Sequence, residues 1–204
     1  MNRQIKKMGF LLGCFCMAFS ITGCGKSTGN NEVEQQEVTQ QDENTAKEET
    51  QQGEGVSFSG KDIEGNEVNA TDLFKNHKIT MVNVWATYCQ PCIQELPDLE
   101  ELSKELESEG MQVIGVLSDV VDRNGDYYQE NWDLGKRILE EKGVTYPNVM
   151  CDISSFQEQI MIDAVPTTFF VDENGKVVGQ IQIGSVSKEN YSALAKQALQ
   201  EIGE

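Results

Sequence analysis

Two segments of the chain, at positions 79–85 and 111–117, consist almost entirely of β-branched and apolar residues. Strands with one face in water alternate between apolar and polar residues, whereas strands buried on both faces of a parallel sheet do not. The two segments therefore predict a pair of central strands in one sheet.

Between these strands, over positions 90–108, leucines recur at the spacing of a helix. The apolar stripe consists of Leu96, Leu99, Leu102 and Leu106. The residues expected to face water are Glu100, Glu101, Lys104 and Glu105. Pro97 lies inside the helix, where it should remove a backbone hydrogen bond and kink it. Gly110 is expected to end the helix.

The remaining pattern predicts shorter elements. Helices are expected at 71–74 with Thr71 as cap, at 132–142, at 154–161 with Ser154 or Ser155 as cap, and at 187–202 with Ser187 as cap. Strands are expected at 56–58, 67–68, 148–151, 167–171 and 176–183. Asn174-Gly175 is a strong hairpin signal between the last two. Strands and helices alternate before this hairpin, which predicts a mixed α/β sheet with helices on both faces.

The first 23 residues have the layout of a signal peptide. Basic residues precede a mostly apolar segment at 9–21, which is too short to span a bilayer comfortably. Ile21-Thr22-Gly23-Cys24 resembles the lipobox of bacterial lipoproteins, in which cleavage precedes the cysteine and the thiol carries lipid. The resemblance implies that Cys24 is lipidated and anchors the mature protein outside the cytoplasm on the bacterial cell membrane. An ordinary secretory signal and an uncleaved anchor are the alternatives.

The next segment, residues 24–55, is rich in Gln, Glu, Asn, Thr, Ser and Gly and has almost no apolar residues. A segment with so few apolar residues cannot bury enough apolar surface to offset the conformational entropy lost on ordering. We therefore predict a disordered acidic tether that follows the lipidated cysteine and holds one folded domain, residues 56–204, away from the membrane.

Charge narrows the choice of partners. The chain has 16 Lys and Arg against 34 Asp and Glu, a formal net charge of −18. This excess of acidic residues argues against nucleic-acid binding and against binding of anionic lipid through a cluster of basic residues. Membrane contact should therefore come from the N-terminus alone.

The first predicted central strand leads directly into Cys89-Gln90-Pro91-Cys92, where the long helix is expected to begin. The amides of a first helical turn and the positive end of the helix dipole stabilise a thiolate. The pair is thus interpreted as a redox motif, with Cys89 as nucleophile and Cys92, about one turn further on, as resolving cysteine.

Two other roles for the pair are a permanent disulfide and half of a zinc site. A bridge across two residues closes too small a loop to remove much entropy from the unfolded chain. A zinc site needs two more ligands, and only Cys151 and His77 are available, without motif spacing. We therefore expect no metal and no cofactor, and interpret Cys151 as a small buried apolar residue and His77 as a loop residue.

The sequence WATYCQPC from Trp85 to Cys92, with Val165-Pro166-Thr167 before a later strand, resembles the thioredoxin superfamily. The leader, the N-terminal hairpin and a helical segment between positions 117 and 147 resemble its TlpA/ResA-like thiol–disulfide oxidoreductases. The resemblance implies a thioredoxin-like fold, a central mixed β-sheet flanked by helices, with an N-terminal β-hairpin and a helical insertion. It also implies a redox disulfide, Cys89–Cys92, that faces a cis Pro166. The residues expected around the pair are Trp85, Tyr88, Gln90, Pro91, Val165 and Thr167.

Two positions modify the usual picture. Thioredoxins carry a buried Asp six residues before the first cysteine, and here that position is Asn83, which cannot accept a proton. Glu95 matches an active-site glutamate of the ResA-like branch and lies on the same helix face as Cys92. A carboxyl partly buried beside a thiol pair tends to have a raised pKa and could take the proton from Cys92. The alternative is that Glu95 is one more solvated acid on an acidic helix.

The resemblance implies an enzyme that reduces disulfides of exported proteins, for example apocytochrome c, and that a CcdA-like membrane protein recycles. Pro91 stands where strongly oxidising relatives carry His, which favours the reducing direction. A peroxide-reducing member is an alternative, although Ala86 stands where peroxiredoxins need Thr. A lipoprotein that only binds a partner through this fold is another. We expect a monomer.

Overall fold

The computed structural model of the protein describes residues 55–203. Its core is one seven-stranded sheet with the strand order β2-β1-β5-β4-β3-β6-β7. The strands are β1 Ser59–Asp62, β2 Glu67–Asn69, β3 Ile79–Trp85, β4 Met111–Leu117, β5 Asn148–Met150, β6 Thr167–Asp172 and β7 Val177–Ile183. The two predicted central strands, β3 and β4, are confirmed with their predicted bounds.

The sheet is mixed, as predicted. Strand β3 runs parallel to β4 and antiparallel to β6. The predicted N-terminal hairpin is present as β1 and β2, a few residues later than expected for its first strand, and it joins the sheet antiparallel to β5. The hairpin therefore lies at one edge of the sheet, and β7 lies at the other.

Five α-helices cover the sheet in the described part of the chain. They are α1 Ala70–Phe74, α2 Gln90–Leu106, α3 Gln129–Lys142, α4 Ser154–Ile160 and α5 Lys188–Ile202. Helix α2 continues into a short 3₁₀ turn, Glu107–Glu109, and Gly110 ends it in the left-handed conformation. Helix α3, which begins three residues earlier than predicted, occupies the segment where a helical insertion was expected.

Two of the predicted helix caps are wrong, and one is correct. Asn69, not Thr71, caps α1, since its side chain accepts from the amide of Asp72. Neither Ser154 nor Ser155 caps α4, because that helix has Ile153 at its N-cap position and no side-chain cap. Ser187 caps α5 as predicted and accepts from the amide of Asn190.

Alternate residues of β3 divide the core into two layers. Met81 and Trp85 pack with buried residues of α2, α3 and α5, whereas Val82 and Val84 pack with buried residues of α1 and α4. Because side chains alternate across a strand, Asn83 lies on the same side of the sheet as Met81 and Trp85. A polar residue therefore points into the layer that contains α2.

Glu100 contradicts the predicted solvent-facing side of α2. Its side chain is buried, and its carboxylate accepts from the amides of Thr145 and Tyr146 at 2.7 and 3.3 Å and pairs with Lys104 at 2.7 Å. The expected leucine stripe is buried as predicted. The helical spacing missed Glu100 because the backbone amides that receive its carboxylate lie 45 and 46 residues further along the chain.

Candidate active site

The two cysteines lie shortly after the end of strand β3, at the beginning of helix α2. Cys89 is the N-cap of α2, and its sulfur accepts from the amide of Cys92 at 3.3 Å. The two Sγ atoms are bonded at 2.03 Å. An N-cap sulfur beside first-turn amides is placed to be stabilised as a thiolate after reduction.

The two sulfur-bearing residues differ in accessibility. Cys89 is 6% exposed, whereas Cys92 is fully buried. Only Cys89 can be approached by a bulky substrate, because a nucleophile needs access as well as charge. Cys89 is therefore the more accessible of the two, and the roles of nucleophile for Cys89 and resolving residue for Cys92 stay predictions.

The structure brings the predicted proline segment to the pair. The Val165–Pro166 peptide bond is cis, as the resemblance implied. The carbonyl oxygen of Val165 lies 3.5 Å from Cys89 Sγ. Thr167 is buried and donates its hydroxyl proton to the carbonyl of Ala164 at 2.7 Å. Cys89 and Val165, which are 76 positions apart in sequence, are therefore in contact at the Cys89 sulfur.

Glu95 is buried, not solvated, with 3% of its surface exposed. Asn83 Nδ2 donates to its Oε1 at 2.9 Å, and the hydroxyl of Tyr191 donates to its Oε2 at 2.9 Å. Asn83 Nδ2 also donates to Thr168 Oγ1 at 3.0 Å. Each carboxylate oxygen of Glu95 therefore has a neutral donor, and no basic side chain takes part in these contacts.

Burial raises the pKa of Glu95 above its ordinary value. Hydrogen bonds from Ser185, Asn83 and Tyr191 offset part of this effect, and the negative charge of Asp98 adds to it. The pKa of Tyr191 is also raised, first by burial and then by the charge of Glu95. Glu95 is consequently a carboxyl that holds a proton more readily than a surface glutamate does.

Comparison with known proteins agrees with this geometry. The sequence profile of the AhpC/TSA family matches residues 53–180. ResA of Geobacillus thermodenitrificans, a thiol-disulfide oxidoreductase, is 30% identical over 145 residues, which cover 69% of this chain and 71% of that protein. ResA of Bacillus anthracis is 29% identical over 140 residues, 69% of this chain and 73% of that protein. The crystal structure of a thioredoxin-family thiol:disulfide interchange protein from Chlorobium tepidum matches with a TM-score of 0.58 and 29% identity, over 71% of this chain and 94% of that one.

The chain belongs to the ResA-like thiol–disulfide oxidoreductases of the AhpC/TSA family. The predicted thioredoxin-like fold is confirmed.

Other predicted neighbours of the pair in this ResA-like enzyme fall into two groups. Tyr88, Gln90 and Pro91 are exposed around Cys89, and 71% of the surface of Tyr88 is accessible. Trp85 is fully buried and donates from Nε1 to Asn148 Oδ1 at 3.0 Å. A Cβ at Gly115 would collide with this Asn148 oxygen, so only glycine leaves room for the contact.

Sequence reasoning missed three residues that support the site. Asp119 accepts from the amide of Thr87 at 3.1 Å and from the Thr87 hydroxyl, and thereby holds the segment just before Cys89. Tyr191 and Thr168 complete the surroundings of Glu95 and Asn83. No local spacing signals these contacts, since the partners come from separate elements.

The remaining cysteine of the described residues, Cys151, is buried and forms no disulfide there. Burial raises its pKa to about 12, which agrees with its interpretation as an inert apolar residue. Within residues 55–203, no three His, Cys, Asp or Glu side chains form a group that could hold a metal ion. In the same range, every helix is too short or too polar to cross a membrane. The predicted leader, Cys24 and tether lie outside the described residues.

Proposed function

We propose that this ResA-like enzyme is a membrane-anchored extracytoplasmic reductase of disulfides in other exported proteins. The observation that carries the proposal is the order of burial along α2. Cys89 reaches the surface at the helix start, Cys92 is enclosed one turn later, and the buried carboxyl of Glu95 follows after one more turn. A nucleophile with slight access to the surface, an enclosed resolving thiol and an acid with raised pKa suit a two-step dithiol reaction.

In the first step, the Cys89 thiolate attacks one sulfur of a substrate disulfide. A mixed disulfide forms, and the other substrate sulfur leaves as a thiolate. In the second step, Cys92 loses its proton and attacks the Cys89 sulfur, which expels the second substrate thiolate. The enzyme ends with the Cys89–Cys92 disulfide, and two electrons have passed to the substrate.

Glu95 is the proposed acceptor of the Cys92 proton. Cys92 has no access to solvent, so its proton needs an internal base. Glu95 is three residues away on the same helix face. Because burial raises its pKa, Glu95 takes up a proton more readily than a surface carboxylate does.

The proposed direction rests on Pro91, one of the two residues between the cysteines. Pro91 adds no positive charge that would stabilise the Cys89 thiolate. Dithiols of this type span roughly −270 to −120 mV, and a less stabilised thiolate places the enzyme toward the reducing end. Recycling then requires an external dithiol donor, for which a CcdA-like membrane protein is proposed, and apocytochrome c is a proposed substrate.

Anchoring is proposed from the leader and Cys24. The boundaries remain those predicted: signal peptide 1–23, lipidated cysteine and tether 24–55, and thioredoxin-like domain 56–204. Replacing Cys24 by Ala should move the protein from the membrane fraction to the soluble fraction and abolish incorporation of radiolabelled palmitate. Unchanged fractionation and labelling would reject the lipid anchor and leave the redox proposal intact.

Insulin reduction by the full chain tests the activity itself. Wild type should accelerate reduction by dithiothreitol, Cys89→Ser should not, and Cys151→Ser, a matched control, should behave as wild type. Equal rates for wild type and Cys89→Ser would reject the reductase and favour a lipoprotein that only binds a partner through this fold. A measured potential near −120 mV would instead reverse the proposed direction.

A further inference from the structure

The side-chain amide of Asn83 is buried, and only its nitrogen forms hydrogen bonds within the described residues. Its Nδ2 serves both Glu95 Oε1 and Thr168 Oγ1. Its Oδ1 is buried, and no donor of the described part of the chain faces it. Buried polar atoms are nearly always paired, so an unpaired oxygen beside an ionisable group calls for an explanation.

The unpaired Oδ1 of Asn83 could accept a hydrogen bond when Glu95 is protonated. An ionised carboxylate only accepts hydrogen bonds, and Nδ2 is then the correct end for Asn83 to present. A protonated carboxyl with its proton on Oε1 is a donor and would oppose the Nδ2 protons. A half-turn of the carboxamide would present Oδ1 to that proton, with Thr168 able to donate to the same oxygen.

We propose that Asn83 is a positioning residue for proton transfer. Its carboxamide turns over by half a turn as Glu95 changes protonation state, so that Nδ2 faces the ionised carboxylate and Oδ1 faces the protonated carboxyl. This inference rests on the proposed role of Glu95 and adds the group that accommodates both of its forms. An Asp at position 83 would not serve in the same way, because its carboxylate offers no donor to an ionised Glu95.

Other ionisable groups near Glu95 must be separated from this effect. Asp98 acts on Glu95 through its charge, Tyr191 is bonded to Oε2, and Glu95 in turn acts on Tyr146. Cys89 and Cys92 lie on the same helix, but neither titrates while they form a disulfide. The oxidised protein therefore allows Glu95 to be followed without the thiols.

The test is a pH titration of the oxidised full chain by NMR. Glu95 is followed through its ¹³Cδ signal, and Asn83 through the ¹H and ¹⁵N signals of its side-chain amide. Asn83→Asp lacks those amide signals and so assigns them. Asn148 is the internal control, since it is also buried but has both ends engaged, with Trp85 Nε1 and with the carbonyl of Tyr146.

If the carboxamide turns over, the Asn83 amide signals move with the same midpoint as Glu95 ¹³Cδ, while those of Asn148 stay in place. In Asn83→Asp the Glu95 midpoint should rise by at least ~1 pH unit, because two carboxyls then face each other. Asn83 amide signals that stay fixed while Glu95 titrates would overturn the proposal, since a carboxamide that turned over would lose its Nδ2 bond to Glu95 Oε1 and could not keep the same signals.

The role of Glu95 itself is tested separately, in the reduced protein. An unchanged Cys92 titration in Glu95→Gln would remove Glu95 as proton acceptor whatever Asn83 does. A shifted Cys92 titration together with fixed Asn83 signals would retain the reductase mechanism and reject only the turnover of Asn83.

Discussion

The hydroxyl of Tyr191 donates to Glu95 Oε2 across 2.9 Å and joins the last helix to the helix that carries both cysteines. The two residues are 96 positions apart. Tyr191 is fully buried, so the bond lies in a protected environment where hydrogen bonds to a charged group are strong. The C-terminal helix thus supplies a hydrogen-bond partner for Glu95 as well as side chains for the core.

Replacing Tyr191 by Phe should destabilise the protein by about 1–3 kcal/mol, because a buried carboxylate oxygen loses its donor. Tyr146→Phe is the matched control. Its hydroxyl is buried, without a hydrogen-bond partner among residues 55–203, so its removal should leave stability unchanged or raise it. Urea denaturation measures both. Equal losses in the two variants would mean that the Tyr191 bond has no net stabilising effect.

Replacing Glu95 by Gln should slow disulfide reduction by about 10²-fold, the usual effect of losing a general base. Only ionised Glu95 accepts a proton, so the wild-type rate should fall as pH decreases through the raised pKa of this carboxyl. The variant should lose that part of the profile. Single-turnover reduction at a series of pH values gives the measurement.

Glu105→Gln is the control for Glu95→Gln, since Glu105 lies on the same helix but is exposed. It should retain the wild-type pH profile. A Glu95→Gln profile that superposes on that of Glu105→Gln would show that the buried carboxyl does not handle the proton.

Glu95 should also affect stability with a definite sign. Its pKa is higher in the folded than in the unfolded state, so the folded state binds the proton more tightly. The free energy of unfolding should therefore decrease as pH rises from the ordinary carboxyl pKa of 4.5 through the raised value. Denaturation of the oxidised protein should show this slope in wild type, and a slope of the same size in Glu95→Gln would contradict it.

Glu100 should stabilise the fold in the opposite pH range. Burial would raise its pKa, but hydrogen bonds from Lys104, Thr145 and Tyr146 prevail and lower it from 4.5 to about 2. Its contribution is therefore complete above pH 4.5 and is lost as pH falls toward 2. Glu100→Gln should cost about 1–3 kcal/mol at neutral pH and reduce the dependence on acid.

Glu101→Gln is the matched control for Glu100→Gln. Glu101 is the next residue on the same helix and pairs with Lys188 at 2.8 Å, but it is solvent-exposed. Exposed ion pairs contribute little, so stability should change little. A larger loss for Glu101→Gln than for Glu100→Gln in urea denaturation would refute this ranking.

Cys151 should not react with thiol reagents in the folded protein. Its thiol is buried and its pKa is raised to about 12, so almost no thiolate is available at pH 8. Iodoacetamide followed by peptide mapping should modify Cys151 only after unfolding, whereas reduced Cys89 should react in the native state. Native labelling of Cys151 at the rate of Cys89 would contradict this.

Much of the fold follows from local sequence. The mostly apolar segments of β3 and β4 indicate the centre of the sheet, because few polar residues interrupt them. The strand-to-helix position of Cys89 is equally local, and the sequence alone indicated a redox pair there. The cis Val165–Pro166 bond came from family resemblance, because nothing local distinguishes it from an ordinary trans bond.

Only the tertiary structure decided which acids of α2 are buried. Glu95 and Glu100 are close in sequence to Glu101 and Glu105, and a helix pattern cannot say which of them meets a partner from another element. The side chains of Asn83 and Tyr191 donate hydrogen bonds to Glu95, and the backbone amides of Thr145 and Tyr146 donate to Glu100. A charge enters the core only where such donors offset its desolvation, and those donors are set by chain segments far apart in sequence.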